Sequence, residues 1–194
     1  VEKAVSSAVA SGKSQEEIEE TAVETEAAAA PEAVLPILQL LLSAGASVSQ
    51  RAAKDGKTLF QFLCLAGASQ CVHLFLEMGA DPNIYDNTSW GPLHVACAIN
   101  SPARGRNYVV VDMLLTAGAR VNQANAEGMA PLALAAQSGD GNLCLLLAKK
   151  GASVNARCKM GYTPTVWALI GSDGADNAAL QVLYGLAKGH VQVQ

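Results

Sequence analysis

The chain has 194 residues, 51% of them hydrophobic but only 5% aromatic and 15% charged, with a formal net charge of −4. That length suits one sizeable domain or one solenoid, and the acidic balance argues against a nucleic-acid partner, which needs a positive surface. No apolar run approaches the roughly 20 residues of a membrane span; the stretch 34–42 is short and contains Pro36.

The N-terminal segment comes first and is acidic. Residues 1–33 hold eight carboxylates against Lys3 and Lys13, so the rest of the chain carries a slight positive excess. Ser14-Gln15-Glu16-Glu17 has capping-box spacing and predicts a helix running to about Ala30, with a further helix over 1–12. Residues 1–31 therefore read as an acidic helical cap. Pro31 interrupts, and 35–44 predicts the next helix.

From there a phrase recurs: Ala44-Gly45-Ala46, Gly79-Ala80-Asp81-Pro82-Asn83, Gly118-Ala119-Arg120-Val121-Asn122 and Gly151-Ala152-Ser153-Val154-Asn155, its glycines 34, 39 and 33 residues apart. Each copy follows a leucine-rich run and ends a helix, because glycine takes the left-handed conformation there. A second phrase alternates with it: Gly56-Lys57-Thr58-Leu59, Ser89-Trp90-Gly91-Pro92-Leu93-His94, Gly128-Met129-Ala130-Pro131-Leu132 and Gly161-Tyr162-Thr163-Pro164. It starts a helix: Thr58 and Thr163 are expected to cap with their hydroxyls, and the prolines stand where a missing N–H costs nothing. Gly67 and Gly139 mark turns between a first and a second helix. The unit is helix–turn–helix plus a returning loop, and such units must stack to bury their apolar faces.

The second phrase, followed by the leucine-rich run and Gly-Ala-x-x-Asn at this period, resembles the ankyrin repeat. The resemblance implies an all-α solenoid of stacked helix–turn–helix units with short β-hairpin-like loops. Its repeats would cover about 32–50, 51–83, 84–122, 123–155 and 156–194. Departures are visible: no copy keeps the full Thr-Pro-Leu-His tetrad. A lost structural hydrogen bond typically costs about 1 kcal/mol, so an array less stable than a consensus one is expected. Extra residues near 101–106 and 171–175 are Gly, Pro or Ser rich and read as loops. Lys188, His190, Gln192 and Gln194 give a polar tail, suited to closing the stack.

Nothing points to catalysis. The chain lacks the nucleophile-elbow, zinc-protease, Walker and dinucleotide motifs, so no catalytic, cofactor-binding or metal residue is predicted. Cys71-Val72-His73 is the one close Cys/His pair, and positions two apart do not share a helix face. The five cysteines form no CxxC pair and read as buried reduced thiols of a cytoplasmic or nuclear protein. His94 is expected to bond its own turn, Trp167 to pack in the core, and Asn83, Asn122 and Asn155 to tie backbone in the loops.

The ankyrin resemblance implies a concave partner face of hairpin tips and first helices. On this chain it picks out Lys57, Tyr85, Trp90, Met129, Lys159, Met160 and Tyr162 at or beside the tips, and Ile99 at a first-helix end. Trp90 is the sharpest candidate, since Trp and Tyr are enriched at interface centres; the alternative is that it folds onto a neighbouring hairpin. Tyr85, Met129, Met160 and Tyr162 would form an apolar stripe along one edge. Arg104 and Arg106 read either as a solvated loop tip or as a basic knob for an acidic partner. The expected function is non-catalytic protein–protein recognition by a monomer, without cofactor, nucleic acid or membrane. The alternatives are a targeting or autoinhibitory module of a larger enzyme or signalling protein, and a self-associating scaffold.

Overall fold

The computed structural model describes residues 35–40, 42–45, 47–98, 107–171 and 177–188. The predicted acidic cap, Ile99, Arg104, Arg106 and the tail beyond Lys188 lie outside the described residues. The chain divides into two compact units, Val1–Ala46 and Ser47–Gln194. The described part of the first is helical at 35–40 and 42–43 and closes at Gly45 with φ +91°.

Among its described residues the second unit holds four helix pairs: α1 (Leu59–Leu65) with α2 (Ser69–Glu77), α3 (Pro92–Cys97) with α4 (Asn107–Thr116), α5 (Pro131–Gln137) with α6 (Gly141–Lys149), and α7 (Pro164–Ile170) with α8 (Ala178–Ala187). The first helix of each pair is short because a proline or a cap starts it and a turn ends it within two turns. Pro92, Pro131 and Pro164 all open their helices. Thr58 caps α1 as expected: its hydroxyl accepts from Gln61 N–H while the Gln61 side chain accepts from Thr58 N–H. Thr163 does not do the same. It has extended N-cap backbone, but its side chain makes no cap hydrogen bond. The residue three positions on is Val166, which cannot close a reciprocal box as Gln61 does.

The first helices stack in the order α1–α3–α5–α7 and the second helices in the order α2–α4–α6–α8. Between the layers lies the core, with Phe60 stacked on Phe75 at 6.0 Å and Leu114, Leu132, Leu147 and Leu183 fully buried. Each such side chain contributes about 1.5–3 kcal/mol of transfer free energy. Two glycines permit close approach. A Cβ at Gly141 would stand 2.8 Å from the Ala178 backbone, and one at Gly171 would collide with the Gln137 carbonyl oxygen.

The backbone that the Asn83 and Asn122 side chains tie belongs to the next repeat. Asn83 Nδ2 donates to Gly118 O (3.1 Å) while its Oδ1 accepts from Arg120 N–H (2.9 Å). Asn122 repeats the bond pair with Gly151 O (3.0 Å) and Ser153 N–H (2.8 Å). Each side-chain amide thus satisfies the exposed carbonyl at the end of the next second helix. All five cysteines are buried and none forms a disulfide. Burial pushes the Cys64 and Cys97 thiols far up, and Cys144 to about 12, so these are inert packing groups.

Candidate partner-binding face

The hairpin tips form one continuous edge. Asn87 N–H donates to Asp55 O, Ala126 N–H to Thr88 O and Lys159 N–H to Glu127 O, all at 3.0–3.1 Å. Each tip is therefore held by the one before it.

The Trp90 tip is the most heavily fixed. Asp86 Oδ1 accepts from Thr88 N–H (2.9 Å), Thr88 Oγ1 (2.8 Å) and Trp90 N–H (2.9 Å). Gln61 Nε2, from the preceding repeat, donates to Trp90 O at 2.7 Å. The indole lies against the His94 ring, centroids 6.1 Å apart, and Tyr85 meets the same imidazole edge-on at 6.3 Å. His94 is itself locked. Its Nδ1 accepts from Gly91 N–H (3.1 Å), which leaves Nε2 as the protonated nitrogen, donating to Gln123 O in the next loop (2.9 Å). Burial lowers the His94 pKa to about 4, against the partial opposition of the Gln123 and Met129 backbone and Asp86. His94 thus ties its own turn as expected and also reaches the following repeat.

Above this support Trp90 remains half-exposed and lines a cleft of about 290 Å³ with Phe62, Leu65, Val95, Thr88 and Lys57. Phe62 is 51% exposed. Ligand pockets run about 300–1,000 Å³, so this cleft is sized for a side chain of a partner. Trp90 and Lys57 are among the candidates picked out from the sequence, whereas Phe62 and Val95, which share a repeat register with the buried Trp167 and Leu134, are not. Phe62 and Val95 line the cleft, while Trp167 and Leu134 are buried.

The remaining candidates separate. Met160 and Tyr162 are exposed, with Tyr162 packed edge-on to Trp167 at 5.8 Å. Lys159 is exposed. Lys57 is partly neutralised by Asp55 at 3.1 Å, an exposed pair of small energetic weight. Its backbone N–H and ammonium together hold the Asp55 carboxyl below the usual range. Met129 is a correction: it is only 4% exposed, so it belongs to the core and the expected unbroken stripe is interrupted there. Its backbone is held as Trp90's is, with Asn125 Oδ1 accepting from Glu127 N–H and Met129 N–H. The neighbouring side chain differs. Where His94 props up the indole, the equivalent residue is Ala133, whose methyl leaves room for a flexible thioether to sink.

Trp167 is buried, as expected for core packing, although its Nε1 has no hydrogen-bond partner among the described residues. Among the described residues no group of His, Cys, Asp or Glu could hold a metal ion, and no helix is long and apolar enough to cross a membrane.

The family model for ankyrin repeats matches residues 26–122 and 99–190. The chain is similar to Ankyrin repeat and SOCS box protein 16 of Homo sapiens, 32% identical over 152 residues, which is 77% of this chain and 34% of that protein. It is also similar to two Mus musculus proteins. Protein phosphatase 1 regulatory subunit 27 is 37% identical over 67 residues, 34% of this chain and 40% of the relative. RelA-associated inhibitor is 39% identical over 59 residues, 30% and 7% respectively. The chain spans less than half the length of each.

Proposed function

This chain belongs to the ankyrin repeat family, and on that premise we propose that it is a non-catalytic recognition module whose partner protein docks an apolar side chain in the cleft beside Trp90. One observation carries the reading. The indole is fixed from below by His94 and along its backbone by Asp86 and Gln61, while its outer face stays open to the cleft. A rigid, pre-positioned aromatic loses little entropy on binding, and such residues dominate interface energetics. Met160 and Tyr162 offer further contact along the same row of tips, and Lys159 a charged rim. Relatives named as an inhibitor and as a phosphatase regulatory subunit accord with a protein that acts by binding others. Five buried reduced thiols suit a reducing, intracellular compartment.

The test is an affinity capture with the wild-type chain and a Trp90→Ala, Tyr162→Ala variant, followed by binding measurements on the recovered protein. A partner retained equally by both would overturn the reading.

The low coverage of its relatives favours a second reading, in which the array is the targeting or autoinhibitory part of a longer protein. The full-length coding sequence discriminates: further domains support it, and a frame holding the array alone contradicts it.

A further inference from the structure

The Trp90 cleft has in its wall a carboxylate that the fold does not require. Asp86 is 8% exposed and lines the cleft. Its Oδ1 does the structural bonding, accepting from Thr88 N–H, Thr88 Oγ1 and Trp90 N–H. Its Oδ2 accepts no hydrogen bond from the described residues, yet it is not one of the partnerless buried atoms, so it keeps an opening to solvent. The positions equivalent to Asp86 are Ala53, Asn125 and Cys158, each three residues before Gly56, Gly128 or Gly161. The Asn125 and Cys158 tips close with the same backbone bond as the Asp86 tip, from the N–H to the carbonyl four residues on, at 2.9–3.0 Å in all three. Asn125 also shows that an amide oxygen is enough to hold the N–H groups of a tip. A mostly buried negative charge is unfavourable unless it is matched, and here one carboxylate oxygen is left over beside an open aromatic cleft.

We propose that Asp86 Oδ2 accepts a hydrogen bond from the partner side chain docked in the cleft, which makes that side chain a tryptophan or a tyrosine. The inference rests on the cleft reading and narrows its occupant. Phe62, Val95, Ala98 and the Trp90 indole give apolar and aromatic walls around about 290 Å³, room for one ring, and aromatic pairs gain beyond the area they bury. A leucine or phenylalanine there would seal Oδ2 from water without replacing the bond that water makes, which is costly for a buried acceptor. Lys57 lines the same cleft, so an arginine or lysine would meet a like charge, and an acidic side chain would meet Asp86 itself. A neutral ring with an N–H or O–H at its edge avoids each of these penalties, and its bond to a carboxylate is charge-assisted.

Chemical-shift titration of the full chain tests it. The probes are N-acetyl-tryptophanamide, N-acetyl-tyrosinamide, N-acetyl-phenylalaninamide and the tryptophan probe methylated on its indole nitrogen. The tryptophan and tyrosine probes are expected to shift the Trp90 side-chain N–H and the Thr88 amide, with dissociation constants of about 1 mM. The phenylalanine and N-methyl probes keep a ring and lose the donor, and are expected to bind about tenfold more weakly. Asp86→Asn keeps an oxygen for the N–H groups of the tip, as Asn125 does, and puts an amide nitrogen in place of Oδ2. It is expected to abolish the preference for the tryptophan probe over its N-methyl form, with a circular dichroism melt close to that of the wild type. Should that variant not fold, the comparison of probes on the wild-type chain still decides. Donorless probes that bind as tightly as the donors would overturn the inference. So would a preference that survives in a folded Asp86→Asn chain, or the lack of any saturable shift by about 20 mM probe. The cleft reading fails separately, if a captured partner binds Trp90→Ala as tightly as the wild-type chain.

Discussion

Trp90 and Met129 occupy the same position of successive repeats, have backbones held by the same side-chain-to-backbone turn, and end in opposite environments. Asp86 and Asn125 each accept two backbone N–H bonds within their tips. Yet the indole lines an open cleft while the thioether is buried. The loop frame sets where a residue stands, and the side chain next to it, His94 or Ala133, sets whether it stays open to solvent. In this array the packing under a tip decides exposure as much as the residue on it.

That comparison can be broken at His94. His94→Ala removes two hydrogen bonds and leaves Gly91 N–H and Gln123 O without their partner, so urea melts should show a loss of about 3 kcal/mol. The indole should sink toward the vacated space, seen as weaker quenching of Trp90 fluorescence by iodide in a Trp167→Phe background. Unaltered quenching would show that the imidazole does not prop the ring.

Acid probes the same support without mutation. His94 has a pKa near 4 in the folded chain against an ordinary value of 6.5. Between those values the unfolded chain binds a proton that the folded chain excludes, so stability rises with pH across the window and is lost on acidification. The loss should approach about 3 kcal/mol by pH 4. His94→Gln should flatten that part of the profile, and an equal slope in the variant would assign it elsewhere.

At the tips themselves the two substitutions should diverge. Met129→Ala empties a buried site and should cost about 2–3 kcal/mol of stability. Trp90→Ala should cost less than about 1 kcal/mol, because the ring is open on one side. Equal losses would erase the distinction drawn here. A small effect of opposite sign is expected at Ser89, the one described non-glycine residue with positive φ (60°), at the place where the other tips have Gly56, Gly128 and Gly161. Ser89→Gly should stabilise by roughly 1 kcal/mol by relieving left-handed strain.

The fold was legible because its signals are local and repeated. Proline starts a helix, glycine ends one, and both obey the chain's own geometry wherever they stand. His94 was legible for the same reason, as a residue that bonds its own turn. What could not be read are properties of neighbours. Met129 looks like a tip residue until Ala133 is set beside it. Phe62 and Trp167 share a register but not an environment. Thr163 looks like a cap, yet Val166 cannot answer it as Gln61 answers Thr58. Asn83 and Asn122 tie loop backbone as expected, but that backbone is 35 and 29 residues away, in the next repeat.

The central claim is that a rigid, half-open Trp90 anchors a protein partner. The most direct measurement is the dissociation constant of a captured partner for the wild-type chain and for Trp90→Ala, each with its thermal melt. The account predicts a loss of about 2 kcal/mol or more, roughly 30-fold in affinity, with the melt nearly unmoved. An unchanged dissociation constant on an intact fold would contradict it.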